Sequence, residues 1–238
     1  NQTPQSIVEK IIMSGAGAVF SIHFGTRELF TRLEDRGIPV VILNHNEFGD
    51  DFYSVTADSM YGTYYAARHA IGLGHFHLVY LDYLRPDLPG IVFDRRAGFD
   101  KAVLEHTSLL DTRRFTIADI NDNDETLSFA VTIAEHAAKK PTAVVVHDDF
   151  LAARMFAHWT RVGMTVPDKI SIVSPGDTLD YSLPFVPQIT TLRSDTDLMG
   201  TLAGQMMVRR LQGKSNRTEN LKVQHTLVNR GSCVAPRD

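Results

Sequence analysis

The chain is short of several things, and each shortage excludes something. Among 238 residues there is a single cysteine, Cys233, so no intramolecular disulfide framework exists and the composition suits a reducing compartment. No apolar run approaches the roughly 20 residues that a membrane-spanning helix needs. There is no excess of positive charge: 24 Lys and Arg stand against 28 Asp and Glu, a formal net charge of -4, so nothing advertises a nucleic-acid surface. The start, Asn1 to Gln5, has neither a basic region nor an apolar stretch, and it lacks Met. A secretory leader is therefore not expected there, and a fragment of a longer chain is. Tandem repeats and low-complexity segments are missing too.

Catalytic and metal signatures are equally scarce. The ten histidines include no i, i+4 pair supported by carboxylates; His75 and His77 lie two apart, and His23 and His45 fall in different loops. Ser182 and Ser194 have no nucleophile elbow, and no glycine-rich loop has the spacing that cradles phosphate. The acid pair Asp50-Asp51 sits in a polar turn of the solvated kind. No enzyme, metal or cofactor is expected.

What remains is an ordinary globular composition, 43% hydrophobic and 22% charged, arranged with a clear rhythm. Short Val- and Ile-rich runs alternate with amphipathic helical stretches. Strands are expected at Ala18–Ile22, Pro39–Leu43, Asp51–Ala57, His77–Leu81, Phe115–Ala118, Thr142–Val146, Asp168–Val173, Gln188–Arg193 and Leu221–Asn229. Helices are expected at Ser6–Met13, from Thr26 to Asp35, from Ser59 to Ile71, and at Asp94–Glu105, Glu125–Lys139, Phe150–Val162 and Asp195–Leu211. Such alternation predicts an α/β fold: parallel sheets covered by helices on both faces. In an open parallel sheet, ligands sit in the loops beyond the carboxyl ends of the strands. Here those loops are polar: Asn44-His45-Asn46-Glu47, His147-Asp148-Asp149 and Ser174-Pro175-Gly176-Asp177.

Several motifs run in order along nearly the whole chain. They are Ile38 to Asn44, Val55 to Asp58, Gly72-Leu73-Gly74-His75, Arg95-Arg96-Ala97-Gly98-Phe99, Pro141-Thr142-Ala143 with Asp148 to Ala152, and Gly163 to Val173. Pro187 to Thr191, Met199-Gly200 and Leu227 to Ser232 complete the series. Each is weak alone; in register the chain resembles the effector-binding core of LacI/GalR-family transcriptional repressors, whose fold is that of type I periplasmic sugar-binding proteins. The closing Leu-Val-x-Arg-x-Ser pattern is similar to the repressors rather than to the exported proteins.

The resemblance implies two Rossmann-like subdomains with parallel sheets, hinged by three crossovers. One would comprise 1–56 and 193–214 (incomplete, without the family's first strand, first helix and second strand), the other 57–192 and 215–238. It implies a small polar effector, a sugar by family habit, held in the cleft between subdomains. It also implies a homodimer, operator DNA read by a helix-turn-helix outside this chain, and a cytoplasmic location without membrane contact. An exported solute-binding protein of a sugar transporter is the alternative.

Sugar-like ligands require converging donors and acceptors, because hydroxyls cannot be buried unpaired. By resemblance the ligand contacts fall on Arg95, Asp148, Asn44, Ser21 and Asp177. Each has a plainer reading: Arg95 as a surface ion pair with Arg96 competing for its role, Asn44 as a turn residue, and Asp177 as a turn cap. Asp148 could simply cap the helix beginning near Phe150, a task for which Asp149 looks better placed. The family usually has Asn where Asp148 stands, so the ligand is expected to offer more hydroxyls there, or a cation. It also usually has Gly, an aromatic and Asp-Asp where Ser174 to Asp177 stand, so its known ligands do not transfer. Helix Phe150–Val162 and loop Leu179–Phe185 are expected to contribute to the dimer surface.

Overall fold

The computed structural model describes residues 3–45, 48, 51–86, 88–106, 110–119, 121, 126, 128–129, 141–214 and 217–237. The chain forms two compact units, Asn1–Asp58 with Asp195–Gln224, and Ser59–Ser194 with His225–Asp238. It therefore passes between them three times.

In unit 1 the described elements are helix α1 (Pro4–Met13), strand β1 (Val19–Ile22), α2 (Arg27–Glu34), β2 (Val40–Leu43), β3 (Tyr53–Ala57), a long helix Thr196–Leu211 and a strand Asn220–Val223. All four strands are parallel, in the order β1, β2, β3, Asn220–Val223. Strand β2 shows why the sheet is covered on both sides. Val40 and Ile42 pack with Val8, Leu29, Phe30 and Leu33 of α1 and α2. Val41 packs the other way, against Met199, Ala203 and Met206 of the long helix. A strand with two apolar faces needs a helix on each. Thr3 and Thr26 start α1 and α2 by accepting the amides of Ser6 and Leu29.

In unit 2 come α3 (Ser59–Gly72), β4 (His77–Tyr83), α4 (Pro89–Leu104), β5 (Asp111–Ile117), β6 (Ala143–Val146), α5 (Asp149–Arg161), β7 (Ser171–Pro175) and β8 (Thr190–Ser194). The long helix of unit 1 is then α6, its last strand β9, and β10 (His225–Val228) closes unit 2. The second sheet runs β10, β8, β7, β6, β4, β5. Leu81, Val144, Val146 and Ile172 face Leu151, Met155 and Trp159 of α5. Tyr80, Val145 and Val173 face Ala66, Ala67 and Ala70 of α3 and Phe99 of α4.

Four expectations need correction. The final strand is two strands: β9 pairs in parallel with β3, while β10 pairs antiparallel with β8. So the second sheet is mixed, and the last passage between units lies at 224/225 rather than 214/215. Residues 217–224 stay with unit 1 because the β9 backbone completes the edge of β3. Helix α4 begins at Pro89, not Asp94, since a proline at the first helical position costs no hydrogen bond there. Strand β5 starts at Asp111, four residues early, because its whole length pairs with β4. The helix expected at 125–139 lies, except for residues 126, 128 and 129, outside the described residues.

Candidate functional site

Strands β4 and β6 are neighbours, with Leu81 opposite Val146. Their carboxyl ends consequently deliver Tyr83 and the His147-Asp148 pair side by side. Asp148 begins α5: its Oδ1 accepts the Leu151 amide at 2.8 Å. The cap is thus Asp148, not Asp149. Its Oδ2 accepts the Tyr83 hydroxyl at 2.6 Å. Burial, followed by the charge and hydrogen bond of Asp148, pushes the Tyr83 phenol well above its ordinary range, so it keeps its proton and donates.

Arg95 enters from α4. Its Nη1 donates to the His147 carbonyl at 2.7 Å and stands 4.0 Å from Asp148 Oδ2. Arg96, the competitor, turns to the fully buried Asp82 instead, at 2.5 and 3.1 Å. Arg85 reaches the Tyr83 hydroxyl at 3.5 Å, and the Tyr83 ring meets the His147 ring edge-on at 5.0 Å. His147 is buried and its Nδ1 has no hydrogen-bond partner among the described residues. Burial, then the guanidinium charges of Arg95, Arg85 and Arg96, hold it well below its ordinary value, so it is neutral.

Asp149, one residue on, does something the sequence did not suggest. It is buried and its carboxylate gathers the loop after β7. Oδ2 accepts the amides of Thr178 at 2.6 Å and Leu179 at 2.9 Å, and Oδ1 the Thr178 hydroxyl at 2.8 Å. Gly176, at φ 97, passes so close that an added Cβ would lie 2.9 Å from Asp149 Oδ1.

Asp177 is the expected contact that the structure assigns elsewhere. Its side chain is buried and its oxygens are engaged by Thr191 at 2.6 Å, by Arg230 at 2.8 Å and by Arg193. Burial alone would raise its pKa; the hydrogen bonds from Arg230, Thr191 and Arg193 win and lower it. Arg230, whose Cζ lies 3.6 Å from the Tyr181 ring centre, ties this carboxylate to the Asp149-held loop. A carboxylate so occupied has little left for a ligand.

In unit 1 the other two expected residues stand at the carboxyl ends of paired strands. Ser21 lies within β1; it is buried and its hydroxyl donates to the Phe24 carbonyl. Asn44 follows β2 at φ 55, a left-handed position that Asn tolerates. Its amide lies 3.1 Å from the His23 ring, and its Oδ1 accepts the Ala57 amide at 3.4 Å. The structure thus brings Arg95 and Asp148 together, places Ser21 and Asn44 at adjoining strand ends, and withdraws Asp177.

Tyr83, His147 and Asp149 were missed as partners. Tyr83 carried a signal, being an aromatic with a polar tip at the end of a buried strand. A cavity of about 480 Å³ opens in unit 1, lined by Arg27, Asp51, Glu34 and Arg210 among others. Arg27 pairs with Asp51 and Arg210 with Glu34, so those charges answer one another. Among the described residues no three His, Cys, Asp or Glu side chains gather as a metal-ligand set. No helix among them is long and apolar enough to cross a membrane.

Comparison with known proteins agrees with this architecture. Residues 67–233 match the family model described as periplasmic binding protein-like domain. The HTH-type transcriptional repressor PurR of Erwinia tasmaniensis is 27% identical over 209 residues, covering 87% of this chain and 60% of that protein. The protein of the same name from Escherichia fergusonii is 27% identical over 208 residues, with the same shares. The chain thus spans about 60% of the length of these curated relatives. Among solved structures, a LacI transcriptional regulator from a Rhodococcus species superposes with a TM-score of 0.80 at 25% identity, over 97% of this chain and 83% of that one. A LacI family transcriptional regulator from Enterococcus faecium, solved with bound ribose, reaches 0.77 at 19% identity, over 97% and 84%. With the model matched over well more than half of its residues, the chain belongs to the periplasmic binding protein-like domain family.

Proposed function

We propose that this chain is the effector-binding and dimerisation part of a LacI/GalR-family DNA-binding transcriptional regulator acting in the cytoplasm. Its effector is a small polar metabolite of the sugar type. The observation that carries this reading is the convergence of Arg95, Tyr83 and Asp148 at the carboxyl ends of β4 and β6. The repressors among its relatives support the regulatory half, and the ribose in the Enterococcus faecium structure is in keeping with a sugar-like ligand.

Arg95 and the Tyr83–Asp148 pair form the proposed contacts of unit 2, with Asn44 and Ser21 as further contacts from unit 1. Effector binding shifts the population between arrangements of the units, and with it the affinity of a dimer for operator DNA. The coupling is reciprocal, so operator DNA alters effector affinity in the full-length protein by the same factor. Catalysis has no part in this reading.

Thermal-shift screening of sugars, sugar phosphates and nucleobases tests it. A ligand at about 100 times its Kd raises apparent stability by about 2.7 kcal/mol. One compound is expected to do so, and Arg95→Ala to abolish the shift. A ligand that stabilises both proteins equally would put the site elsewhere.

A further inference from the structure

The chain's three passages between units lie at 58/59, 194/195 and 224/225. On the unit 2 side they are joined through one side chain. Ser59 opens α3, Ser194 ends β8 and His225 starts β10. Ser194 and His225 stand opposite each other in the antiparallel pair, and the Ser194 hydroxyl lies 2.9 Å from His225 Nε2. The same imidazole covers Gly62, in the first turn of α3. A Cβ added there would lie 2.9 Å from its Cε1 and 3.0 Å from its Nε2, so only glycine admits the ring in this position.

On the unit 1 side the Asp58 amide donates to the Val223 carbonyl at 2.9 Å, which ties the first passage to the third. Strand β9 ends at Val223 and β10 begins at His225, so Gln224 alone lies between them. A passage one residue long has few torsions in which to turn. It stays that short only while His225 remains in β10. With the imidazole released from Ser194, the end of the β8–β10 pair frays and the passage lengthens. Hinges work through a few residues that absorb the change in backbone torsion, so each residue added matters.

Resting on the reading above, in which the effector shifts the population between arrangements of the units, we infer that His225 is the clamp that limits this hinge. Its ring fastens β8, β10 and the first turn of α3 together, all within unit 2. Movement is thereby confined to 58/59, to 194/195 and to Gln224. His225 is a positioning residue and needs no contact with the effector.

Pulsed electron paramagnetic resonance of the whole chain tests the clamp. Spin labels at Met13→Cys in unit 1 and Leu104→Cys in unit 2, both strongly exposed, report the distance between units. Cys233 is buried, and labelling of the parent chain checks that it stays unreacted. Ser194→Ala and His225→Ala are each expected to raise the fraction of molecules outside the parent's main distance peak by about 5-fold, the scale of one hydrogen bond. Gly62→Ala is expected to do the same by pushing the ring off Ser194. It should add nothing once His225 is alanine, since no ring is left to displace. His158→Ala, a buried histidine of α5, serves as the control and should leave the distances unchanged. Circular dichroism checks each fold, and Ser194→Ala, the mildest change, carries the test if another variant does not fold. The inference is overturned if the distances are the same in all three variants, or if His158→Ala widens them as much. It is equally overturned if Gly62→Ala acts as strongly without the imidazole as with it. No ligand enters this measurement, so such a result would leave the effector reading to the thermal-shift screen, and silence in that screen would leave the clamp standing.

Discussion

His147 illustrates what burial does to a single group. Its imidazole is neutral in the folded chain because burial and three nearby guanidinium charges oppose a proton. The linkage has a definite sign. Above about pH 6.5 the imidazole is neutral in both states and contributes no slope. Below it the unfolded chain takes up a proton that the folded chain refuses, so stability falls as pH falls, by about 1.4 kcal/mol per pH unit. His69, His75 and His158 are lowered too, mainly by burial, and add to the loss in the same window. Urea unfolding at pH 7, 6 and 5 should therefore show a declining free energy, and His147→Gln should flatten that decline by up to one proton's worth. An unchanged slope would mean that His147 titrates normally. At this scale the pairing of Arg95 with Asp148 was readable in advance, because both stand in motifs that carry the resemblance. The division of labour between Asp148 and Asp149 was not. Both are acids beside a helix start, and only the loop after β7, remote in sequence, decides which one it claims.

Elements α3 and α4 are held together through a position with no room for a side chain. A Cβ added at Gly98 would lie 2.0 Å from the Met60 carbonyl oxygen and 3.0 Å from the Tyr64 amide nitrogen, both backbone atoms. Helix backbones cannot yield as a rotamer can, so the pair would have to separate. It would disturb the stacking of Phe99 on Tyr80, whose rings are 5.0 Å apart. Gly98→Ala should cost about 3 kcal/mol, the upper part of the range for overpacking, measured as a loss of urea-unfolding free energy. A cost below about 0.5 kcal/mol would show that the helices adjust freely. Among the described residues element types were legible from apolar runs and caps. Their ends were less so where pairing overrules local pattern: β5 reaches back to Asp111, through two exposed arginines, because β4 supplies hydrogen-bonding partners for all seven of its residues.

On the scale of the whole molecule, exposed apolar side chains bear on assembly. Phe150 at the start of α5 is 47% exposed, and Phe185 in the loop before β8 is 79% exposed; both belong to unit 2. Both lie in segments where the family resemblance places the dimer surface, and buried aromatics carry much of the energy of such contacts. Sedimentation of the chain should reveal a dimer. Phe150→Glu and Phe185→Glu should each raise its dissociation constant by about 30-fold or more, the scale of a burial hot spot. A clean monomer at high concentration, or dimers untouched by either change, would move the interface away from this surface.

The sequence by itself determined the α/β class, the parallel pairing of every strand but β10 and the run of polar strand ends, because these depend on apolar periodicity and on caps a few residues apart. It carried the family as well, through many weak motifs in register. Tertiary structure decided three things that depend on groups far apart in the chain. It split the last strand between β3 and β8, since a backbone edge chooses its partner by geometry rather than by side-chain pattern. It engaged Asp177 in ion pairs, because Arg193 and Arg230 arrive from strands and loops beyond any local window. And it left the buried Nε of Arg95 without an acceptor among the described residues, a fact of hydrogen-bond direction that no spacing of residues encodes.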